Sequence, residues 1–303
     1  MHLKNELLYD IRKDIEVIEK DERLYEEKHF KLRAQAIDDI EFHIIDRIDG
    51  LITEVDAIDQ LYFLKQYATS VKHDLESIDA KMFHQLRTEI LQGACKGSSL
   101  MDLIDKYFGQ ISNTIPEQDA AGYDDLDLFF NGLLSYGDIP VETKEREAEM
   151  VFYQKTPARI ILELVNRAAF KPDDVFVDIG SGLGQVSILV HLLSGVTCNG
   201  VEFEPAFCSY ANACAAALNL TDVAFVNTDA RNADYSSGTV FFMYTPFEGK
   251  MLQDVLQRLK NEAKKRTIKI FTYGPCTDEV TKHDWLIREK ENCLNELGVF
   301  IVG

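Results

Sequence analysis

Residues 175–193 combine an apolar run, a glycine-rich turn and a second apolar run, and they constrain the fold more than any other stretch. They read Val-Phe-Val-Asp-Ile-Gly-Ser-Gly-Leu-Gly, then Gln-Val-Ser-Ile-Leu-Val-His-Leu-Leu. The pattern predicts a buried strand, a tight turn and a helix N-terminus, where the backbone can approach a ligand closely. The dinucleotide fingerprint Gly-x-Gly-x-x-Gly does not fit, because its sixth place holds Gln185 counted from Gly180 and Ser187 counted from Gly182. This spacing disfavours an NAD-dependent oxidoreductase.

Predicted strands and helices alternate through the second half of the chain. Strand patterns cover 175–179, 197–202, 223–227, 239–244, 268–273, about 285–289, and 298–302. Helix patterns cover 184–193, 205–218, 248–264 and 277–283. This alternation predicts a parallel sheet covered by helices on both faces. The last two strands lack room for a crossover helix, so we expect them to form an antiparallel edge pair.

The first 112 residues are predicted to form a helical N-terminal domain. No proline precedes Pro116, and apolar residues recur at helical spacing with acidic residues on the other faces. We expect two to four helices that shield the second domain, recognise a partner or pair two copies of the chain. Turn and breaker residues predict a linker with short helices over 113–149, followed by the domain at 150–303.

The charge and the cysteines narrow the class of protein. The chain has 51 acidic and 32 basic residues, a formal net charge of −19. Sequence-independent binding to nucleic acid is therefore disfavoured, whereas a cationic partner is tolerated or attracted. The six cysteines include no Cys-x-x-Cys pair, which indicates reduced thiols and no metal site. With no signal-peptide core and no membrane-spanning run, we expect a soluble cytoplasmic protein.

Acidic residues stand at the ends of three successive predicted strands. Asp178 lies two residues before the first glycine, Glu202 ends the second strand and Asp229 follows the third. Because the carboxyl ends of parallel strands meet at one edge of a sheet, we expect the three carboxylates to line one ligand site. A carboxylate at the end of the second strand is placed to accept hydrogen bonds from a ribose diol. Glu204 is predicted instead to cap the next helix, together with Pro205.

The pattern Asp-x-Gly-x-Gly-x-Gly at 178–184 resembles motif I of class I S-adenosylmethionine-dependent methyltransferases. The resemblance implies a seven-stranded Rossmann-like sheet, mostly parallel with an antiparallel last strand, beside the all-α N-terminal domain. It implies S-adenosylmethionine as cofactor and S-adenosylhomocysteine as product. Asp178 suits the methionine end of that cofactor, and Asp229 suits the adenine amino group. The expected cofactor-binding residues are Tyr153, Thr156, Asp178, Gly180, Ser181, Gly182, Gln185, Glu202, Asp229 and Ala230.

Residues 173–202 also resemble the non-SET histone lysine methyltransferases, the disruptor of telomeric silencing family. The shared motifs are the run from Val175 to Val186 and the strand end Gly200-Val201-Glu202. The chain further looks like uncharacterised bacterial class I methyltransferases with a Tyr-Thr-Pro-Phe strand end.

The fourth predicted strand ends in Tyr244-Thr245-Pro246-Phe247. This end resembles the Asn/Asp-Pro-Pro-Tyr/Phe motif of amine-directed methyltransferases, but it lacks the leading Asn or Asp. It also departs from the Asn-containing strand end of the silencing family. The candidate catalytic residues are Tyr244, Pro246 and Phe247, with Tyr244 as an aromatic wall or a hydroxyl.

The leading hypothesis is therefore a methyltransferase that acts on an amine nitrogen of a protein or small molecule by direct displacement. The alternative is a non-catalytic module that binds the cofactor as a sensor or scaffolds the helical N-terminus for a partner.

Overall fold

The computed structural model describes residues 2–53, 58–109, 123–289 and 297–302. The chain forms two compact units. The first comprises Met1–Thr88 and Asp102–Ile115, and the second comprises Glu89–Met101 and Pro116–Gly303. Residues 113–122 of the predicted linker lie outside the described residues, as does Cys293. The domain boundaries stated above stay a prediction.

The N-terminal part of the chain is helical. Its α-helices are α1 His2–Glu19, α2 Phe30–Asp38, α3 Asp46–Ile52, α4 Ile58–Leu91 and α5 Ser98–Phe108. Short 3-10 turns at Glu22–Tyr25 and Glu27–His29 precede α2, and a π-helical stretch at Asp39–Ile45 joins α2 to α3. Because α2 and α3 are continuous through that stretch, the described residues up to 109 contain four main helical segments. The apolar stripes that predicted these helices form their shared core, including Ile11, Ile15, Ile40, Ile48 and Leu75.

A buried ion pair lies within the first unit. Arg33 is fully buried, and its guanidinium lies 2.6 Å from Asp79 Oδ1. The same guanidinium donates hydrogen bonds to the carbonyl oxygens of Leu24 and Glu26, at 3.0 Å each. These partners compensate the cost of removing the charge from water.

The second unit is a seven-stranded sheet with helices. Its strands are β1 Val175–Ile179, β2 Thr197–Glu202, β3 Val223–Asn227, β4 Val240–Tyr244, β5 Ile268–Tyr273, β6 Ile287–Arg288 and β7 Gly298–Val302. Its helices are α6 Asp125–Leu134, α7 Ala158–Ala168, α8 Gln185–Ser194, α9 Pro205–Ala217, α10 Gly249–Ala263 and α11 Cys276–Thr281. The strand order is β3-β2-β1-β4-β5-β7-β6, and β7 is antiparallel to both of its neighbours. The predicted fold class is confirmed.

Most strand boundaries agree with the hydropathy pattern, and the exceptions have a physical reason. β4 begins one residue later than predicted, at Val240, and β6 has two residues where about five were expected. β6 is an edge strand that pairs only with β7 among the described residues, and Ile287 is exposed there. Because Ile287 faces solvent, pairing further residues of β6 with β7 would bury little apolar surface, so the strand stays short.

The centre of the sheet is packed with aromatic side chains. Five fully buried phenylalanines lie on its strands, namely Phe176, Phe241, Phe242, Phe271 and Phe300. The central strands are thus buried on both faces, as parallel strands between helices are. In register, Asp178 lies opposite Gly200, and Glu202 lies opposite Asn227. This rigid frame brings the carboxyl ends of β1 to β4 to one edge. No helix within the described ranges has both the length and the apolar character needed to cross a membrane.

Candidate functional site

A cavity of about 1010 Å³, counted with its open mouth, lies at the carboxyl ends of β1 to β4. Of the thirteen site residues predicted from the sequence, twelve line it. They are Tyr153, Thr156, Asp178, Gly180, Ser181, Gln185, Glu202, Asp229, Ala230, Tyr244, Pro246 and Phe247. The thirteenth, Gly182, donates a backbone hydrogen bond to Glu202 in the cavity wall. The structure thus brings the predicted residues together, and their individual roles stay predictions.

The turn between β1 and α8 requires its glycines. Gly180, Gly182 and Gly184 all have positive φ, at 81°, 52° and 84°. A Cβ atom on Gly182 would lie 2.1 Å from the ring of Tyr153, and one on Gly180 would lie 2.4 Å from Pro246 Cβ. No side chain fits at these distances, so both positions require glycine.

Glu202 is buried and held by backbone N–H groups. Its Oε2 accepts from Gly182 N and its Oε1 from Glu204 N, each at 2.7 Å. Burial raises the pKa of Glu202, while these N–H groups act in the opposite direction. Each carboxylate oxygen has a second lone pair, so Glu202 can still accept hydrogen bonds from a ligand in the cavity.

Asp178 is the most strongly perturbed acid of the cavity. It is 2% exposed, and burial, reinforced by the charge of Glu202, raises its pKa to about 8. Within the described residues, Asp178 Oδ2, Ser181 Oγ and Gln185 Nε2 are buried and have no hydrogen-bond partner. Buried polar atoms are nearly always paired. Three such atoms beside one glycine turn therefore point to a polar ligand.

Asp229 lies in an ion-pair network. Its Oδ1 accepts from Arg231 N at 2.7 Å, and its Oδ2 lies 2.5 Å from Arg231 Nη2. The same Nη2 lies 2.5 Å from Glu147 Oε1. Arg231 holds the pKa of Asp229 below its usual range, so this carboxylate stays ionised. Sequence reasoning missed Arg231 and Glu147. The proximity of Arg231 to Asp229 in the chain was a usable signal, whereas nothing pointed to Glu147.

Residues 142–156, which we call the strap, supply one wall of the cavity. Glu204 anchors the beginning of the strap, since it accepts from Thr143 Oγ1 at 2.6 Å and from Lys144 N at 2.8 Å. Glu204 also accepts from Ala206 N at 2.9 Å, which confirms the predicted helix cap. One carboxylate therefore caps α9 and holds the strap.

A second carboxylate anchors the middle of the strap. Glu149 accepts from Lys250 N at 3.1 Å and from Met251 N at 2.7 Å, in the first turn of α10. The N–H of Val151 donates to the carbonyl oxygen of Pro246 at 3.1 Å. The free N–H groups of a helix start favour a carboxylate. These contacts hold the strap against the turn that follows β4.

The β4 turn presents an aromatic surface. The rings of Tyr244 and Tyr273 have centroids 4.8 Å apart, and Tyr244 Oη donates to Gln154 Oε1 at 3.2 Å. Thr245 has a positive φ of 38°, which is uncommon for a β-branched residue. Its Oγ1 donates to the carbonyl oxygen of Tyr273 at 3.0 Å and accepts from Cys276 N at 3.1 Å. Sequence reasoning placed Tyr244 in the wall but missed the role of Thr245 in shaping the turn.

Comparison with known families identifies part of this unit. Residues 146–244 match the family model described as "Histone methylation protein DOT1". The matched segment begins in the strap and ends with β4, and it covers about a third of the chain. No curated protein matches the chain.

Several solved methyltransferases are partly similar to it. An RNA methyltransferase from Salinibacter ruber, solved with S-adenosyl-L-homocysteine, is 21% identical with a TM-score of 0.39, over 49% of this chain and 92% of its own. A ribosomal protein L11 methylase from Lactobacillus delbrueckii is 16% identical with a TM-score of 0.36, over 48% and 76%. A SAM-dependent methyltransferase from Aquifex aeolicus is 15% identical with a TM-score of 0.38, over 49% and 94%. At these scores the likenesses carry no weight in assigning function.

The strand order, the glycine turn and the family match together define a class I S-adenosylmethionine-dependent methyltransferase. Within that class, the matched segment is similar to the DOT1 histone methylation proteins. The residues present fit the cofactor of the class. The unpaired carboxyl oxygen of Asp178 suits a cationic group, and Ser181 Oγ and Gln185 Nε2 offer further unpaired polar atoms for its polar groups.

Proposed function

We propose that the cavity binds S-adenosylmethionine in a fixed orientation. The observation that carries this placement is the set of three buried, unpaired polar atoms, Asp178 Oδ2, Ser181 Oγ and Gln185 Nε2. Asp178 would pair with the α-ammonium group, and Gln185, at the start of α8, would donate to the carboxylate. Glu202, already held by two N–H groups, would accept from the ribose hydroxyls.

The adenine end would lie near residues 229–230. Ala230 is buried in the cavity wall, and its neighbour Asp229 is kept ionised by Arg231. Arg231 donates three N–H groups to Asp229, from its backbone N, Nε and Nη2, which leaves one of the roughly four acceptor positions of the carboxylate for the adenine amino group. Tyr153 and Thr156 of the strap would close the methionine end.

We infer further that the methyl acceptor is an amine, on a protein or a small molecule. When bound, S-adenosylmethionine supplies an electrophilic methyl carbon on a sulfonium sulfur. The chain's task is to hold the acceptor nitrogen in line with that carbon and to exclude water. Tyr244 lines the cavity, and its ring, packed on the buried Tyr273, is of the kind that attracts alkylammonium groups. The net charge of −19 favours a cationic acceptor. The histone-methylation family match supports the same choice.

Calorimetry with S-adenosylhomocysteine tests the placement of the cofactor. We expect Glu202→Gln to weaken binding by about tenfold or more, because a charge-assisted hydrogen bond is worth roughly 1.5–3 kcal/mol. The matched control is Glu248→Gln, since Glu248 is exposed and makes no side-chain cap bond. Equal binding to the natural protein and to Glu202→Gln would refute the placement.

The acceptor proposal is tested separately, by methyl transfer. The natural protein would be incubated with tritiated S-adenosylmethionine and either histones or a small-molecule extract, and the labelled products would be hydrolysed and identified. N-methylated amines are expected. Tyr244→Ala should lower methyl transfer by a larger factor than it lowers the affinity for S-adenosylhomocysteine. Label found only on oxygen, sulfur or carbon atoms would contradict an amine acceptor.

Three sequence predictions accompany this proposal. They are the cytoplasmic location, the pairing of copies through the N-terminal helices and the domain boundaries at 112 and 150.

A further inference from the structure

A second cavity, of about 660 Å³ counted with its open mouth, lies beside the cofactor cavity. The two cavities share the side chains of Tyr153 and Gln185. The other walls come from α6 and the segment after it, from the first turns of α8, and from α9.

The charged side chain of this second cavity is the cation Lys155. Its lining contains no Asp or Glu, although the chain has 51 acidic residues against 32 basic ones. Lys155 contributes an ammonium group and Gln185 contributes Nε2, which is buried without a partner among the described residues. The cofactor cavity, by contrast, has five acidic residues in its wall. Acids outnumber the basic residues Lys144 and Arg146 in the cofactor cavity, whereas the charged residue in the lining of the second cavity is Lys155.

Lys155 has no carboxylate partner in the part of the chain that the structure describes. Its Nζ donates to the amide oxygen of Asn131 at 2.8 Å, and none of the ion pairs involves it. Burial lowers the pKa of Lys155, and the charge of Asp127 acts in the opposite direction without forming an ion pair. An ammonium group that is half-buried and donates to a neutral amide is incompletely compensated. A bound carboxylate would supply a direct ion pair.

The remaining walls are mainly apolar. They include Phe130, Leu134, Ile139, Leu183 and Ile188. A pocket of this kind takes a ligand with an apolar body, and its few polar groups fix the ligand's orientation. The ligand class that matches both features is a small organic acid with an aromatic or branched aliphatic body.

We propose that this second cavity binds a small organic acid together with the cofactor. The carboxylate pairs with Lys155 Nζ, and the body packs against Phe130, Leu134 and Ile188. Because Tyr153 and Gln185 belong to both walls, the acid and the cofactor affect each other's binding. This site does not depend on which atom accepts the methyl group.

The test uses 3-phenylpropionate and 4-methylpentanoate, each compared with its neutral amide, by saturation-transfer NMR on the natural protein, first without and then with saturating S-adenosylhomocysteine. We expect both acids to bind, and each amide to bind at least about tenfold more weakly. Lys155→Met should abolish the preference for the acid, and Lys155→Arg should retain it. Lys171→Met, at an exposed lysine, is the matched control.

Three results would overturn the proposal. The first is that neither acid binds, or that acid and amide bind equally well. The second is that Lys155→Met leaves the preference unchanged. The third is that S-adenosylhomocysteine displaces the acids, because the cavity would then belong to the cofactor's own carboxylate. The comparison of acid with amide is made on the natural protein, so it tests the preference for a carboxylate even if a variant does not fold.

Discussion

Binding of the cofactor should release a proton from Asp178. Burial, with the charge of Glu202 adding to it, raises the pKa of Asp178 to about 8. A carboxyl group with that pKa holds its proton about nine-tenths of the time at pH 7. An α-ammonium group beside Oδ2 would favour the ionised form and lower the pKa. We therefore expect about 0.9 proton to be released per cofactor bound at pH 7, and roughly half a proton at pH 8.

Isothermal titration calorimetry measures this release directly. S-adenosylhomocysteine, which carries the same α-ammonium group, is titrated in two buffers whose ionisation enthalpies differ, and the difference in observed enthalpy gives the number of protons. Asp178→Asn should release no proton, because the amide does not titrate. Asp222→Asn, at an exposed position, should behave like the natural protein. Equal release from Asp178→Asn and the natural protein would refute the reasoning.

The same pKa predicts how the stability of the cofactor-free protein changes with pH. The folded-state pKa of about 8 lies above the ordinary value of 3.8, so the unfolded chain loses this proton first as the pH rises. The contribution of Asp178 to stability is therefore fully present below about pH 4 and is lost as the pH rises towards 8. The two pKa values correspond to a loss of roughly 6 kcal/mol at most.

Urea denaturation provides the second measurement. Asp178→Asn should be more stable than the natural protein at pH 8.5, and the gain should shrink towards pH 5. A gain that does not depend on pH would contradict the assignment of the effect to this carboxyl group.

Three further predictions concern other parts of the chain. Arg231→Met should weaken the binding of S-adenosylhomocysteine several-fold in calorimetry, because Arg231 orients the carboxylate of Asp229. Arg231→Lys should weaken it less. An unchanged affinity in Arg231→Met would contradict this role of Arg231. Gly182→Ala should abolish that binding, because its Cβ would lie 2.1 Å from the ring of Tyr153; binding at the natural affinity would show that the turn relaxes freely. Arg33→Met should lower the free energy of unfolding in urea by about 3–5 kcal/mol, because it leaves Asp79 without its buried partner. If the double variant with Asp79→Asn loses the sum of the two single losses, Arg33 and Asp79 are not coupled and the reasoning is wrong.

Much of the fold was predictable because buried strands and helices show characteristic patterns of apolar residues in the sequence. The boundaries of β1, β2, β3, β5 and β7 follow from apolar runs between turn residues. β6 was predicted too long because its pairing is set by β7, a partner adjacent to it in space, rather than by its own residues.

Some residues of the candidate site were likewise predictable from the sequence and others were not. Asp178 and Glu202 were predictable because parallel strands bring their carboxyl ends to one edge. The strap contacts were not, since Glu147 lies 2.5 Å from Arg231 and Glu149 binds the N–H groups at the start of α10. Such pairs join distant parts of the chain and show no periodicity, so only the folded backbone reveals them.

By itself, the sequence determined the order of the elements, the glycine turn and the acids that follow the strands, because each depends on local chain geometry. The tertiary structure alone decided how deeply those groups are buried and which partners they have. It buried Asp178 with its Oδ2 unpaired, engaged both oxygens of Asp229 with Arg231 and placed Lys155 in a cavity whose lining has no acids. Burial and pairing depend on the sum of surrounding atoms, most of them far away in the chain, and this sum sets the charge state and ligand preference of each group.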